Sequence, residues 1–200
     1  MSKRLAVKNV AHFKPNLRNL LSLSVDLFLT KLFYRHARLI RFPFYCRGLE
    51  LIDLGSNLTT GRYCRLDALS IKGGIDTERK HQIVIGRNVQ IGDRVHLASA
   101  KELIIGSNTL IASNVFISDH DHGTSDYRSM LLPPIERNLA CASVAIGESC
   151  WIGQNVCILK GVSLGNNCIV AAGAVVTRSF PGFSVLGGVP ARLLKCTNEC

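Results

Sequence analysis

The segment Ser118-Asp119-His120-Asp121-His122-Gly123 concentrates the residue types that move protons. An imidazole between carboxylates is equipped to act as a general base, the group a weakly nucleophilic hydroxyl needs near neutral pH. Either Asp119 or Asp121 is placed to hold the ring tautomer, as the third member of a catalytic triad does. In an extended segment alternate side chains share a face, which sets His120 and His122 side by side. The same residue types also admit a metal site, because three of His81, His96, His120 and His122 would suffice for zinc. Asp93 and His96, in Gly92-Asp93-Arg94-Val95-His96, are further candidates to contact a substrate. The eight cysteines contain no C-x-x-C pair, and Cys64, Cys150 and Cys168 stand where small apolar residues recur. They read as core residues whose free thiols fit a reducing compartment.

The elements that must position these groups announce themselves as a repeat. Eleven six-residue blocks begin with Ile, Leu or Val, starting at Ile85, Ile91, Leu97, Ile105, Ile111, Ile146, Ile152, Ile158, Leu164, Val170 and Val176. A period of six matches neither an amphipathic helix nor a simple hairpin array, so the repeat itself is the structural unit. The fifth residue of nine blocks is Val, Thr, Cys or Ala, which supplies a second inward group. The fourth is Asn or Gly in seven (Asn88, Asn108, Asn114, Asn155, Gly161, Asn167, Gly173), the types that accept a left-handed backbone. A corner every six residues closes a triangular coil of eighteen, with Ile146 under Leu164 and Ile152 under Val170. The rhythm breaks twice, at an eight-residue step from Leu97 to Ile105 and over 119–143, a polar loop extruded where function tends to sit.

Composition bounds the rest. With 47% hydrophobic residues and no run of eighteen apolar ones, the 200-residue chain reads as one domain behind an N-terminal appendage. Of the net charge of +10, residues 1–50 carry ten Lys/Arg against Asp26 and Glu50. That asymmetry points to an anionic surface such as lipid headgroups, with no nucleic-acid motif beside it. Residues 17–33 predict a helix capped by Asn16, with a polar stripe of Arg18, Ser22, Asp26 and Thr30. Its apolar face carries Leu17, Leu20, Leu21, Leu27, Phe28 and Leu32. Such a helix is expected to bury that face as a cap on the last coil, the alternative being a membrane interface. The stretch lacks the features of a secretory signal, so the cytoplasm is the expected compartment, with peripheral contact at the membrane as an option.

Together these blocks resemble the hexapeptide-repeat acyltransferases, strongly over 83–195 and more weakly over 48–71. The resemblance implies an all-β fold, a left-handed parallel β-helix (48–195) preceded by a basic segment (1–47) and followed by a tail (196–200). Residues 117–123 are similar to the catalytic segment of O-acetyltransferases that modify bacterial surface polysaccharides, colanic acid and lipopolysaccharide O-antigen units. Maltose and galactoside acetyltransferases are relatives. On that resemblance His120 is the general base; from the residues themselves Asp119 is taken as its partner, and His122, Asp93 and His96 are candidate acceptor contacts. The γ-class carbonic anhydrases share the fold but space their last zinc histidines farther apart than His120 and His122, so no metal is expected. Trp151-Ile152-Gly153, Ala171 to Arg178 and Gly187 to Arg192 resemble the acetyl-CoA half. They imply Trp151, Gly153, Gln154, Ala172 and Thr177 along the donor, with Arg178, Arg192 and Lys195 at its phosphates. A homotrimer is implied, His120 of one chain facing acetyl-CoA on a neighbour. The expected activity is acetyl transfer from acetyl-CoA, a co-substrate, to a sugar hydroxyl of a cell-surface glycan or its lipid-linked precursor. An amine acceptor is the alternative, and a non-catalytic scaffold the reading from another class.

Overall fold

The computed structural model describes residues 16–69 and 81–197. Residues 72–82, whose sequence also leaves the six-residue step, therefore lie largely outside the described residues, as does the basic stretch 1–15. Strands of two to six residues form three sheets of five to seven strands and one separate two-stranded ribbon. Sheet 1 contains Phe44–Arg47, Cys64–Ala68, His96–Ser99, Phe116–Ser118, Cys157–Ile158 and Val175–Val176. Sheet 2 contains Ile52–Asp53, Ile83–Ile85, Leu103–Ile105, Val144–Ile146 and Ser163–Leu164. Sheet 3 runs from Thr59–Thr60 through Gln90–Ile91, Leu110–Ile111, Trp151–Ile152 and Ile169–Val170 to Ser184–Gly188 and Ala191–Cys196. The chain visits the sheets in the order 1, 2, 3 and returns, and each return adds a parallel strand beside the last. Ile146 pairs with Leu164 and Ile152 with Val170, the register expected of an eighteen-residue coil.

The repeat explains the interior. All eleven leading aliphatic residues are buried, as are all nine of the small fifth-position residues. Each buried Val, Leu or Ile contributes roughly 1.5–3 kcal/mol through apolar area removed from water. The seven expected corner residues all take positive φ, for example Asn155 at 59° and Gly173 at 72°. The second-position glycines answer a different need. A methyl group on Gly153 would lie 2.7 Å from the Ala172 amide nitrogen and the Val170 carbonyl oxygen, so the next coil occupies that space.

Strand pairing starts before residue 48, where the expected boundary fell: Leu39 bridges Thr59, and Phe44–Arg47 pairs with Cys64–Asp67. Helix α1 (Leu17–Phe33) precedes this first coil, with the Asn16 side chain accepting from the Asn19 amide. Its orientation reverses the expected cap. Asp26 and Thr30 are its buried residues, while Leu17, Leu21, Val25, Phe28 and Leu32 are exposed. The cause is the first coil's open edge, whose backbone groups need polar partners. Thr30 Oγ1 accepts from the Ile40 amide at 2.9 Å, and Asp26 Oδ1 accepts from the Phe42 amide at 3.1 Å. Arg62 pairs with Asp26 at 2.7 Å, donates to the Ser22 hydroxyl at 2.6 Å and also donates to the Phe42 carbonyl. Ile40, Phe44 and Ala37, not the helix leucines, close the apolar end of the core.

Cys64, Cys150 and Cys168 fill inward positions, and the Cys64 thiol donates to the Gly92 carbonyl at 3.0 Å. Burial pushes the Cys64 and Cys150 thiols up to about 11. A maleimide reagent at pH 8 should therefore leave both unlabelled in the folded protein and label both in denaturant. Mass spectrometry of the tryptic peptides reads the difference.

Candidate active site

Three successive turns from sheet 1 to sheet 2 build the site. The hexad rhythm buries Ile117 in the strand that begins at Phe116, and past that strand's end Asp119 is wholly buried while His120, like Phe116, is only partly so. One coil below, the eight-residue step from Leu97 to Ile105 adds two residues to the same turn. That extra length folds three consecutive amides around the Asp119 carboxylate. Ala100 donates to Oδ1 at 2.8 Å, while Lys101 at 2.8 Å and Glu102 at 2.6 Å donate to Oδ2. The Ser99 hydroxyl donates to Oδ2 at 2.6 Å. Asp119 is wholly buried.

His120 completes this shell, with Nδ1 2.9 Å from Asp119 Oδ1. Burial drives the Asp119 carboxyl upward, but the hydrogen bonds from His120, Ser99, Ala100 and Lys101 outweigh it and hold the group below the usual aspartate range. An ionised carboxylate only accepts, so in the neutral ring Nδ1 carries the proton and Nε2 the lone pair. The Ser118 hydroxyl accepts from the His120 amide at 3.3 Å and donates to the His120 carbonyl at 2.9 Å. The His120 side chain is only 10% exposed. The ring is held in place at the mouth of a turn.

Of the two candidate carboxylates, only Asp119 reaches the imidazole, because Asp121 pairs with Lys160. His122 is exposed and two residues further along the strand. The extruded segment is more ordered than a polar loop. His120–His122 pairs antiparallel with Leu139–Cys141, and the arm between them holds the short helix α2 (Tyr127–Met130) and a 3-10 turn at Pro134–Glu136. Asp93 is committed to a corner, accepting from the Arg62 amide at 2.8 Å. His96 lies on the outer row of sheet 1, register-paired with Phe116, with Nε2 3.0 Å from Asp67 Oδ2. Asp67, absent from the sequence reading, is buried and also receives Arg65 at 2.6 Å. No spacing signal exposes it, since 29 residues separate it from His96. Among the described residues, no three His, Cys, Asp or Glu side chains gather as a metal site would require.

The expected donor residues divide between two places. Thr177 and Arg178 follow the sheet 1 strand Val175–Val176, two coils above Ile117 by the register Ile117, Ile158, Val176, which brings them to the corner of His120. Both are exposed, and Arg178 lies 5.1 Å over the Phe180 ring. Trp151, Arg192 and Lys195 belong to sheet 3, while Gly153, Gln154 and Ala172 sit at the turn from sheet 3 to sheet 1. Gln154 and Ala172 are exposed, and Gly153 is buried against the next coil. Within one chain the two groups stand at different corners.

Known proteins fit this architecture. Residues 143–178 match the family described as hexapeptide repeat of succinyl-transferase. Over 178 residues the chain is 41% identical to WbbJ of Escherichia coli K12, named as an inferred lipopolysaccharide biosynthesis O-acetyl transferase, covering 87% of this chain and 86% of that protein. The chain belongs to the hexapeptide-repeat acyltransferase family. Among other family members, the galactoside O-acetyltransferase of E. coli K12 is 33% identical over 58% of this chain and 55% of its own length. The crystal structure of a maltose O-acetyltransferase from Clostridium difficile 630 superposes with a TM-score of 0.62 at 22% identity, over 90% and 88% of the two chains. AntD, an N-acyltransferase from Bacillus cereus, gives 0.66 at 18% identity over 82% of each. These two superpositions speak for the fold.

Asp119→Ala leaves several buried donors without an acceptor, which should cost about 3 kcal/mol or more. Because folding lowers the Asp119 pKa, its contribution is complete above the ordinary aspartate value and is lost as pH falls through the lowered one. The melting-temperature gap between wild type and Asp119→Ala should therefore be full at pH 6 and shrink below about pH 4. Thermal denaturation across that range checks both.

Proposed function

We propose that this acyltransferase moves an acetyl group from acetyl-CoA to a sugar hydroxyl of a bacterial cell-surface polysaccharide or its lipid-linked precursor. The observation that carries the reading is the pairing of His120 Nδ1 with the buried Asp119 carboxylate, which leaves Nε2 as a proton acceptor. His120 Nε2 takes the hydroxyl proton as the oxygen attacks the thioester carbonyl. The tetrahedral adduct then expels the CoA sulfur, which collects the proton from His120. Asp119 stabilises the imidazolium between the two steps. Transfer is direct, within a ternary complex, and no acyl-enzyme is needed.

Acetyl-CoA is inferred from the second-half motifs, and it accords with the galactoside acetyltransferase crystallised with coenzyme A, which has a TM-score of 0.54 to this chain. Thr177 and Arg178 on the one side, and Trp151, Gln154, Ala172, Arg192 and Lys195 on the other, are assigned to the donor. The family resemblance supports a left-handed β-helix and a homotrimer, in which residues split between two corners of one chain would meet across subunits. The outer face of sheet 3 supports such packing. Leu110, Trp151 and Ile169 form one register row there and are each at least 37% exposed. A lone prism would leave that row in water.

His120→Ala should lower kcat/KM by about 100-fold or more while leaving acetyl-CoA affinity nearly unchanged by calorimetry. Near-normal turnover would remove His120 from the role. The product should release acetate in mild alkali as an ester does; a hydroxylamine-stable amide would instead select an amine acceptor. Sedimentation equilibrium should give three times the mass of the chain, and a stable active monomer would refute the trimer.

A further inference from the structure

Helix α1 presents an apolar stripe that nothing in the described chain covers. Leu17, Leu21, Val25, Phe28 and Leu32 recur at i, i+4, i+8, i+11 and i+15, one side of a helix, and are 57–74% exposed. The helix cannot turn to hide them, because its opposite side is held by the Thr30, Asp26 and Ser22 contacts to Ile40, Phe42 and Arg62. Arg18 borders the stripe on one flank, and Lys31 lies on the other. Arg18 also lines a groove of about 680 Å³ together with Arg41, Arg62 and Tyr63 on the polar side of the helix, so its guanidinium stands between the apolar stripe and that groove. Tyr63 is itself more than half exposed.

We propose that this surface is a membrane-docking face, with the α1 stripe in the acyl-chain boundary and the arginine groove at anionic phosphate headgroups. Charge decides between occupants. The described residues 16–50 hold Arg18, Lys31, Arg35, Arg38, Arg41 and Arg47 against Glu50 and an Asp26 already paired with Arg62, so a second copy laid on the face would meet the same positive charge, whereas an anionic leaflet is complementary. An interfacial helix needs the two features found here together, an outward apolar stripe and flanking cations. Among the described residues no helix is long and apolar enough to cross a membrane, so the contact is on the surface and reversible. The helix packs against the first coil, at one end of the stack. The docking stands apart from the acetyl-transfer reading, since vesicle binding needs neither donor nor acceptor.

The test is co-sedimentation of the full chain with vesicles of phosphatidylglycerol or of phosphatidylcholine, at low salt and at 0.5 M salt (roughly a 4 Å Debye length, against 10 Å at 0.1 M). The wild type should partition onto phosphatidylglycerol vesicles, more weakly at high salt, and little onto phosphatidylcholine. The double variant Leu21→Ser/Phe28→Ser should bind at least tenfold less, with an unchanged melting temperature, since both side chains face solvent. Arg18→Glu should weaken binding as well. Absence of wild-type binding at low salt overturns the proposal, as does full binding by the double variant. A smaller sedimenting mass for the double variant would also overturn it and make the stripe a contact between copies. Acetyl-CoA calorimetry on the same samples separates these outcomes from failure of the acetyl-transfer reading.

Discussion

A single ionised carboxylate, buried without solvent contact, constrains the architecture around the site. A lone carboxylate in that position would carry a large desolvation penalty, and Asp119 escapes it through four protein donors besides His120. Three of those donors are consecutive backbone amides, available because the turn after Ser99 is longer than the repeat requires. Lengthening that turn releases amides from coil pairing and points them inward. The charge so stabilised is then used once, to fix the imidazole ring and its tautomer. The irregular turn and the histidine belong to one device.

The distribution of regularity follows from this. Wherever the chain turns from sheet 2 to sheet 3 or from sheet 3 to sheet 1, the hexad step is kept in the described coils and side chains repeat with little variation. The turns from sheet 1 to sheet 2 carry the eight-residue step and the arm of 119–143. One edge of the prism is thus free to vary in length while two maintain register. Since each coil contacts chiefly its neighbours, an insertion at that edge leaves the inward ladder of aliphatic residues intact.

The coils, their corners and the limits of α1 were legible in the sequence because each rests on local chemistry. An Asn or Gly at the fourth place of a block can be read one residue at a time, and so can an N-cap. The pairing of Asp119 with His120 was legible for the same reason, the two being adjacent. What stayed hidden required partners remote along the chain. Asp67 meets His96 only because one coil lies on another, and Gly153 is confined by a coil that comes eighteen residues later. The orientation of α1 was misjudged on the premise that an amphipathic helix turns its leucines inward. Periodicity reveals two faces but says nothing of the backbone edge beneath, and here the unpaired groups of Ile40 and Phe42 chose the polar one. The arm at 119–143 looked irregular because its strands are three residues long, too short for alternation to register.

A stack of parallel coils has the same exposed hydrogen-bonding groups at its last turn as at any turn within, so nothing in the repeat itself says where to stop. Length is therefore set by the two terminations. At one end a threonine hydroxyl and an aspartate occupy the edge; at the other the chain reverses, and Ala191–Cys196 lies antiparallel to Ser184–Gly188. A chain deprived of α1 would present a ready template for the next molecule's final coil. Head-to-tail fibres, growing one prism at a time, are the natural failure of this design, and the polar stripe that faces inward is what keeps the particle finite.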